Sequence, residues 1–171
     1  ILNAADMSCF EDESFDAVLN MGPFYHIKDK TERNKCFSES LRVLKKGGTI
    51  ITAYIPKFYI NQLTAIIDNK YLDSTLLNQI RDTGILNSDD PKCFWTDTYY
   101  SSADEMESLY KTNKIEITEH FAQDGLAPIF HEKVDEWNDQ QLKIWLNYHL
   151  SVCTEKSVLG MSNHVIIAGK K

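Results

Sequence analysis

Two short stretches of this 171-residue sequence combine residues that could bind a ligand or act on one. The first contains Asp6 and Met7, and the second, residues 20–26, reads Asn-Met-Gly-Pro-Phe-Tyr-His. Carboxylate and amide oxygens accept hydrogen bonds, glycine lets a ligand approach the backbone, and aromatic rings offer flat apolar surface. Both stretches therefore predict contact with a small molecule. Asp6 could equally cap a turn, and His26 could simply bond a backbone carbonyl.

A strand–helix–strand pattern positions the second stretch. Residues 14–20 are apolar on both faces, as in a central parallel strand. A capping box at Asp29 then predicts a helix that Gly47-Gly48 ends, and residues 49–55 read as the next strand. Such a unit forms a right-handed crossover in a parallel sheet, and ligands bind at the carboxyl ends of its strands.

The rest of the chain continues as an α/β fold around an insertion. Residues 57–100 depart from the strand–helix–strand pattern, because they contain two helical stripes and a turn-rich segment. A second capping box at Ser102 and Glu105 predicts a helix, and residues 115–121 and 164–169 predict two more strands. Between those strands the spacing predicts one long helix with a packed stripe, formed by Val134, Trp137, Gln141, Trp145, Tyr148 and Val152.

Composition and charge favour a single soluble domain. The net charge of −7 argues against a nucleic-acid partner, because such proteins cluster Lys and Arg. The four cysteines form no C-x-x-C pair and lie in or beside apolar runs, which predicts reduced, buried thiols, a disulfide being the less favoured alternative. The histidines lack the spacing of metal ligands, so no metal site is expected. No apolar run approaches a membrane span and no leader is expected, which predicts a cytoplasmic protein with no membrane partner.

The assembled pattern resembles a known family. The strings AADMSCFEDESFDAVLNMGPFYHI and SESLRVLKKGGTIITAYI are similar to the central part of the class I S-adenosylmethionine-dependent methyltransferases of small-molecule type. Later segments resemble the last helix and the final two strands of these enzymes. The residues that carry the resemblance are Asp6, Ser14, Phe15, Asp16, Val18, Glu39, Arg42, Val43, Leu44, Lys45, Gly47 and Gly48.

The resemblance implies a Rossmann-like methyltransferase fold, the cofactor S-adenosyl-L-methionine and a small-molecule methyl acceptor. It implies that Asp6 accepts a hydrogen bond from the adenine amino group, while the Met7 N–H serves a ring nitrogen. Asn20, Met21 and Gly22 would line the methionine and sulfonium end. Tyr25 and His26 would lie near the acceptor, His26 as a general base or both as shape alone. The remaining candidate pocket residues, Phe58, Trp95, Tyr99 and Tyr100, would come from the insertion as a substrate lid, or else would be plain core.

The chain also departs from the family pattern. Neither a glycine-rich loop after a first strand nor an acidic residue after a second strand is found, so residues 1–171 are expected to be the C-terminal part of one methyltransferase domain. The family sheet order would then reduce to 4-5-7-6, with helices on both faces and residues 14–20 at an open edge. Such an edge favours association, which predicts a homodimer through it.

Two other functions stay open from the sequence. One is a non-catalytic fragment or assembly module that has lost the cofactor site. The other is a nucleotide-dependent oxidoreductase of related topology, which the R-V-L-K-x-G-G helix exit disfavours.

Overall fold

The computed structural model describes residues 3–171. Helices and strands alternate along most of the chain. In order they are β1 (Phe15–Asn20), α1 (Pro23–His26), α2 (Lys30–Val43), β2 (Leu44–Tyr54), α3 (Ile60–Ile67), α4 (Ser74–Thr83), β3 (Ile85–Leu86), β4 (Thr98–Tyr99), α5 (Ala103–Thr112), β5 (Glu116–Ala122), α6 (His131–Asp135), α7 (Asp139–Val152), α8 (Lys156–Leu159) and β6 (Val165–Lys170).

A four-stranded sheet with the order β1-β2-β6-β5 forms the centre of the fold. β1 pairs with β2 in parallel, whereas β6 runs antiparallel to both β2 and β5. The carboxyl ends of β1, β2 and β5 therefore meet the start of β6 at one edge of the sheet. The predicted α/β fold, a partial sheet flanked by helices, is confirmed.

The main core lies between the sheet and the helices α2 and α5. Phe37 of α2 and Tyr110 of α5 are fully buried there, with ring centroids 5.4 Å apart. The Tyr110 hydroxyl lies 2.9 Å from Thr52 Oγ1 and 3.0 Å from the Ile167 carbonyl oxygen. This buried hydroxyl thus ties α5 to the two central strands, β2 and β6.

Residues 57–100 form a small second core at the carboxyl end of β2. The segment is closed at its base, where Ser101 N donates to Ile55 O at 3.0 Å and Lys57 N donates to Ser101 O at 3.0 Å. Both predicted helices of this segment are present as α3 and α4, and the short β3–β4 pair was not predicted. Its core consists of Ile55, Ile60, Leu76, Ile80, Leu86 and Tyr100, with Tyr25 packed against it.

Two helix boundaries differ from the sequence prediction. The helix that begins after Asp29 ends at Val43, because Leu44 already has extended backbone angles and pairs with Phe15. The predicted long helix near the C-terminus is broken into α6 and α7, because Asn138 and Gln141 form a capping box that starts a new helix.

The predicted packed stripe on that helix is also wrong. Trp137 and Trp145 are only half-buried and contact each other and Phe130. Tyr148 is 66% exposed, so the stripe covers a local aromatic cluster and not the main core.

All four cysteines are free thiols, but only Cys36 and Cys153 are buried; the prediction of burial is wrong for Cys9, which lies exposed in the loop before β1. Among the helices of residues 3–171, none combines the length and the apolar content needed to cross a membrane.

Candidate functional site

Asn20 ends β1 with a buried amide that is only half satisfied. Its side chain is 3% exposed, and its Nδ2 lies 3.6 Å from the Cys36 sulfur of α2. The Asn20 Oδ1 atom is buried without a hydrogen-bond partner among the described residues. An acceptor in this state favours a donor supplied from outside the described residues, because a buried unpaired polar atom costs about 1–3 kcal/mol.

The chain turns sharply at Gly22 directly after this strand. Gly22 has φ +127°, which side-chain-bearing residues rarely adopt, and Pro23 occupies the first position of α1. A Cβ atom at Gly22 would meet only the Tyr25 hydroxyl, at 4.0 Å. The backbone at Gly22 is therefore open to a ligand, and the neighbouring Met21 side chain is half-exposed.

The turn brings Tyr25 and His26 to the carboxyl edge. Tyr25 packs on the second core, and its ring lies 4.8 Å from that of His26. His26 is exposed; its Nδ1 lies 3.2 Å from the Asp97 carbonyl oxygen, and its ring lies 5.2 Å from Trp95. The backbone contact that the sequence left open for His26 is thus present, and the ring remains accessible.

Asp6 is exposed in a tight turn before β1. Its backbone N–H donates to Asn3 O at 2.9 Å, and its Oδ1 accepts a bond from Ser8 N at 3.2 Å. The hydrogen bonding with Ser8 lowers the pKa of Asp6 below its ordinary value, so the carboxyl group is ionised at neutral pH. Asp6 Oδ1 therefore caps the turn, which is the alternative that the sequence left open, and Oδ2 is available to a ligand.

The Met7 N–H is already engaged by the protein. It donates to Glu39 Oε2 at 2.8 Å, and Arg42 Nη2 donates to both Glu39 Oε2 and Met7 O. A second Arg42 nitrogen, Nη1, donates to Phe10 O at 3.0 Å. Bonding to Arg42 and to Met7 lowers the pKa of Glu39 to about 2. Glu39 and Arg42 thus anchor the loop that carries Asp6, and the Met7 N–H could reach a ligand only by leaving Glu39.

This anchoring role was missed at the sequence level, although both residues belong to the motif that carries the family resemblance. Glu39 and Arg42 are one helical turn apart on α2, so their side chains lie on the same helix face. That spacing was the available signal. What it could not give was the partner, since the bonded loop lies more than thirty residues earlier in the chain.

The four pocket residues expected from the insertion separate in space. Trp95 is 54% exposed beside His26, and Phe58 is 57% exposed among residues of α3 and α4. Tyr99 lies under the Arg33 guanidinium, 3.3 Å from its ring centroid, and Tyr100 is 1% exposed in the second core. The structure thus brings Trp95 together with Tyr25 and His26. Tyr100 takes the core position that the sequence left open as an alternative.

A further polar cluster lies at the same edge of the sheet. Asp124 follows β5, and Ser162 and His164 precede β6. The His164 ring lies 6.0 Å from that of Tyr25, and Asp124 Oδ1 accepts a bond from Ser162 Oγ at 2.6 Å. Sequence reasoning considered His164 only as a metal ligand. The antiparallel pairing of β5 with β6, which places the two loops side by side, was the signal that could have found the cluster.

A separate cleft of about 580 Å³ lies between α2 and α5. Its lining includes Arg33, Tyr99 and the acids Asp104 and Glu105, and of the stretch 20–26 it includes Phe24 but not Asn20, Gly22 or His26. We place the candidate site at the strand ends, because the unpaired Asn20 Oδ1 and the exposed rings of His26 and Trp95 lie there. Within residues 3–171, no cluster of three or more His, Cys, Asp or Glu side chains could hold a metal ion.

Residues 1–52 match a family model described as a methyltransferase domain. That segment contains Asp6, Met7, Asn20 to His26, Glu39 and Arg42. A comparison with curated proteins found no match.

Solved structures are similar along almost the whole chain. One is a SAM-dependent methyltransferase from Methanosarcina mazei, with TM-score 0.59 and 20% identity over 99% of this chain. Another, from Thermotoga maritima, is described as a SAM-dependent methyltransferase and possible histamine N-methyltransferase, with TM-score 0.52 and 18% identity over 98% of this chain. A third is the [4+2]-cyclase SpnF, with TM-score 0.51 and 16% identity over 99% of this chain.

These likenesses settle the architecture. The fold is the Rossmann-like methyltransferase fold. This chain spans 65%, 61% and 54% of the lengths of those three chains. The cyclase among them shows that the methyltransferase fold does not by itself fix the reaction.

Proposed function

We propose that this chain carries the adenine-binding and acceptor-facing parts of an S-adenosyl-L-methionine-dependent methyltransferase that acts on a small molecule. One observation carries the proposal. Glu39 and Arg42 hold the Asp6 loop beside the start of β1, and the other end of β1, at Asn20, leads into an open glycine turn; all of these residues lie within the matched segment.

The residues present fit the cofactor in three places. Asp6 offers a free carboxylate oxygen for the adenine amino group. The orphaned Asn20 Oδ1 offers an acceptor for the ammonium of the methionine part. The absence of a side chain at Gly22 leaves the backbone open to a ligand at the carboxyl end of β1. Hydrogen bonds of this kind hold a ligand without a metal.

When bound, the cofactor would supply an electrophilic methyl group on a sulfonium. The work left to the protein is positioning and water exclusion, because methyl transfer is a displacement at carbon. Tyr25, His26 and Trp95 present rings that would orient a planar acceptor over the edge of the sheet. The insertion, residues 57–100, would act as the lid over that acceptor.

Two polar anchors of the family pattern have no counterpart in these residues, namely the glycine-rich turn and the ribose carboxylate. We propose that a segment outside these 171 residues completes the site. Leaving two anchors unmade, at about 1–3 kcal/mol each, turns a micromolar site into roughly a millimolar one.

A non-catalytic assembly module is the second candidate, and two observations favour it. The Met7 N–H is occupied by Glu39, and β1 ends the sheet with Leu19 64% exposed. An unpaired strand edge is a template for association.

Calorimetric titration of S-adenosylhomocysteine, combined with sedimentation of the same sample, separates the two candidates. The methyltransferase proposal predicts saturable binding with a dissociation constant near millimolar. A stable dimer that shows no binding at S-adenosylhomocysteine concentrations up to about ten millimolar would support the module.

A further inference from the structure

Asp124 is held rigidly between the end of β5 and the start of β6. Its Oδ1 accepts bonds from Ser162 Oγ at 2.6 Å and from His164 N at 3.1 Å. Ser162 is fully buried, and its Oγ accepts a bond from Gly125 N at 2.9 Å. Asp124 Oδ1 thus fixes the loop, and Oδ2 takes no part in these bonds.

The second oxygen faces the His164 imidazole. Asp124 Oδ2 lies 3.5 Å from His164 Nδ1. Burial opposes ionisation of Asp124, but hydrogen bonds from His164 and Ser162 outweigh it and lower the pKa of this carboxyl. A carboxylate at Nδ1 favours the tautomer that carries its proton there, which leaves the lone pair on Nε2.

The His164 ring lies beside the candidate site. The side chain is 30% exposed, its ring lies 6.0 Å from the Tyr25 ring, and no residue between 3 and 171 bonds to Nε2. Tyr25 itself is one residue from His26 and three from Gly22. The imidazole therefore borders the region where the acceptor would lie.

Other titratable groups around the pair are Tyr25, Tyr59 and His149. The Tyr59 hydroxyl is buried without a partner among the described residues, and burial together with the Asp124 charge raises its pKa to about 12. His149 Nε2 lies 3.1 Å from the Ala122 carbonyl oxygen, so it is committed to the backbone. The Tyr59 hydroxyl therefore keeps its proton near neutral pH.

We propose that His164, oriented by Asp124, accepts the proton of the methyl acceptor. The inference rests on the proposed function. The acceptor's oxygen or nitrogen forms a bond to the methyl carbon, the bond from that carbon to the sulfonium sulfur breaks with its electron pair going to sulfur, and the acceptor's proton goes to His164 Nε2. The pair is thus a base–orienter arrangement built from two loops that only the sheet brings together.

The first test needs no turnover. Diethyl pyrocarbonate acylates an imidazole nitrogen that has a free lone pair, and peptide mapping gives the rate at each histidine. In Asp124→Asn the amide oxygen still serves Ser162 and His164 N, while its NH₂ group faces Nδ1 and shifts the imidazole to the Nε2–H tautomer. We expect the labelling rate of His164 to fall at least tenfold, with exposed His131 as the internal control. Equal His164 rates in both proteins would overturn the proposal.

The tautomer gives a second readout on the unaltered protein. A long-range ¹H–¹⁵N spectrum is expected to show the proton of neutral His164 on Nδ1. Finding it on Nε2 would sink the inference even if Asp124→Asn fails to fold.

The third test uses turnover with labelled S-adenosylmethionine and two probe acceptors, tyramine and 2-naphthol. In His164→Gln we expect kcat near pH 7 to fall about 100-fold with KM within twofold, and the loss to shrink at higher pH as the acceptor ionises. Calorimetry of S-adenosylhomocysteine on the same proteins separates the two failures. No binding to the unaltered protein contradicts the proposed function, whereas normal binding with normal turnover in His164→Gln contradicts this inference alone. If neither probe is methylated, the labelling and tautomer results decide.

Discussion

At the scale of single residues, a charged side chain of α2 fixes the position of the Asp6 loop. Nothing in residues 3–14 forms a helix or strand, yet Arg42 donates to carbonyls at Met7 and Phe10 and to the Asp12 carboxylate. Charge-assisted bonds from one guanidinium give such a loop a single geometry. Asp6 is therefore presented at a fixed position beside β1.

Asp6→Ala tests the adenine contact directly. We expect it to weaken S-adenosylhomocysteine binding by about 1–3 kcal/mol, the loss for one ligand hydrogen bond left unmade. The matched control is Glu11→Ala, an exposed acid of the same loop whose side chain has no role in the site. Equal affinity in the two variants, measured by calorimetry, would remove Asp6 from the binding site.

Glu39→Gln tests the anchor. The pKa of Glu39 is lowered from 4.5 to about 2 in the folded protein, mainly by Arg42. The stability that Glu39 contributes is therefore fully present above about pH 4.5 and is lost as the pH falls toward 2. We therefore expect the free energy of unfolding, measured in urea, to fall more steeply over this pH range for the unaltered protein than for Glu39→Gln. Parallel pH curves for the two proteins would contradict the anchor.

At the scale of elements, the Gly47-Gly48 pair has a role other than ending a helix. α2 has already ended at Val43, and the pair lies within β2. Gly47 has φ +75° with open space around it, whereas a Cβ at Gly48 would lie 2.6 Å from Leu44 Cδ1 and 3.0 Å from Asp16 O. Gly47 is thus required by backbone angle and Gly48 by the close approach of β1.

Substitutions at the pair separate these two causes. Gly47→Ala is expected to cost about 1–2 kcal/mol of unfolding free energy, and Gly47→Asn less, because Asn tolerates a left-handed backbone. Gly48→Ala is expected to cost about 1–3 kcal/mol from overpacking, with Gly48→Asn no better. Denaturant unfolding of the four variants checks this, and rescue by Asn at Gly48 would argue against the steric cause.

Trp145→Ala tests the aromatic cluster beside α7. A fully buried Trp would cost about 3–5 kcal/mol on removal. Because Trp145 is half-buried against Phe130 and Trp137, we expect roughly 1–2 kcal/mol. Phe37→Ala, at 1% exposure, is the reference expected in the higher range. Equal losses in melting experiments would show that Trp145 belongs to a larger core.

Periodicity and capping residues allowed most elements to be predicted from the sequence. β1, α2, α5 and the last two strands were found because their apolar spacing and caps are local signals. The break between α6 and α7 was missed because Trp137 and Trp145 continue an apolar rhythm across it. The β3–β4 pair was missed because two-residue strands carry too few positions to show alternation.

At the scale of the whole molecule, the candidate site is assembled from four strand ends. The sequence identified the contribution of β1, because Asn20 to His26 are contiguous. It missed Asp124 and His164, which lie far from that stretch in the chain and approach it only through the pairing of β5 with β6. The exposure of a side chain also could not be derived from residue type. Trp95 and Tyr100 are both aromatic, but Trp95 is exposed beside His26 and Tyr100 is buried in the second core.

The open edge of the sheet at β1 is the surface through which we propose that two chains pair. β1 lies at the end of the sheet, and the similar structures are longer than this chain. The proposed homodimer would pair two β1 strands, and sedimentation at rising concentration tests it. We expect association to weaken in Leu19→Lys, since charged residues block strand edges. A concentration-independent monomer in both proteins would rule that pairing out.

Mapping S-adenosylhomocysteine on the ¹⁵N-labelled chain shows whether the cofactor binds at Asp6 and at the end of β1. We expect saturable amide shifts with a dissociation constant near millimolar, concentrated at Asp6, Met7 and residues 20–22. The Met7 amide should move as its N–H leaves Glu39 for the adenine. Tight micromolar binding by this chain alone, or shifts confined to the cleft between α2 and α5, would contradict the account.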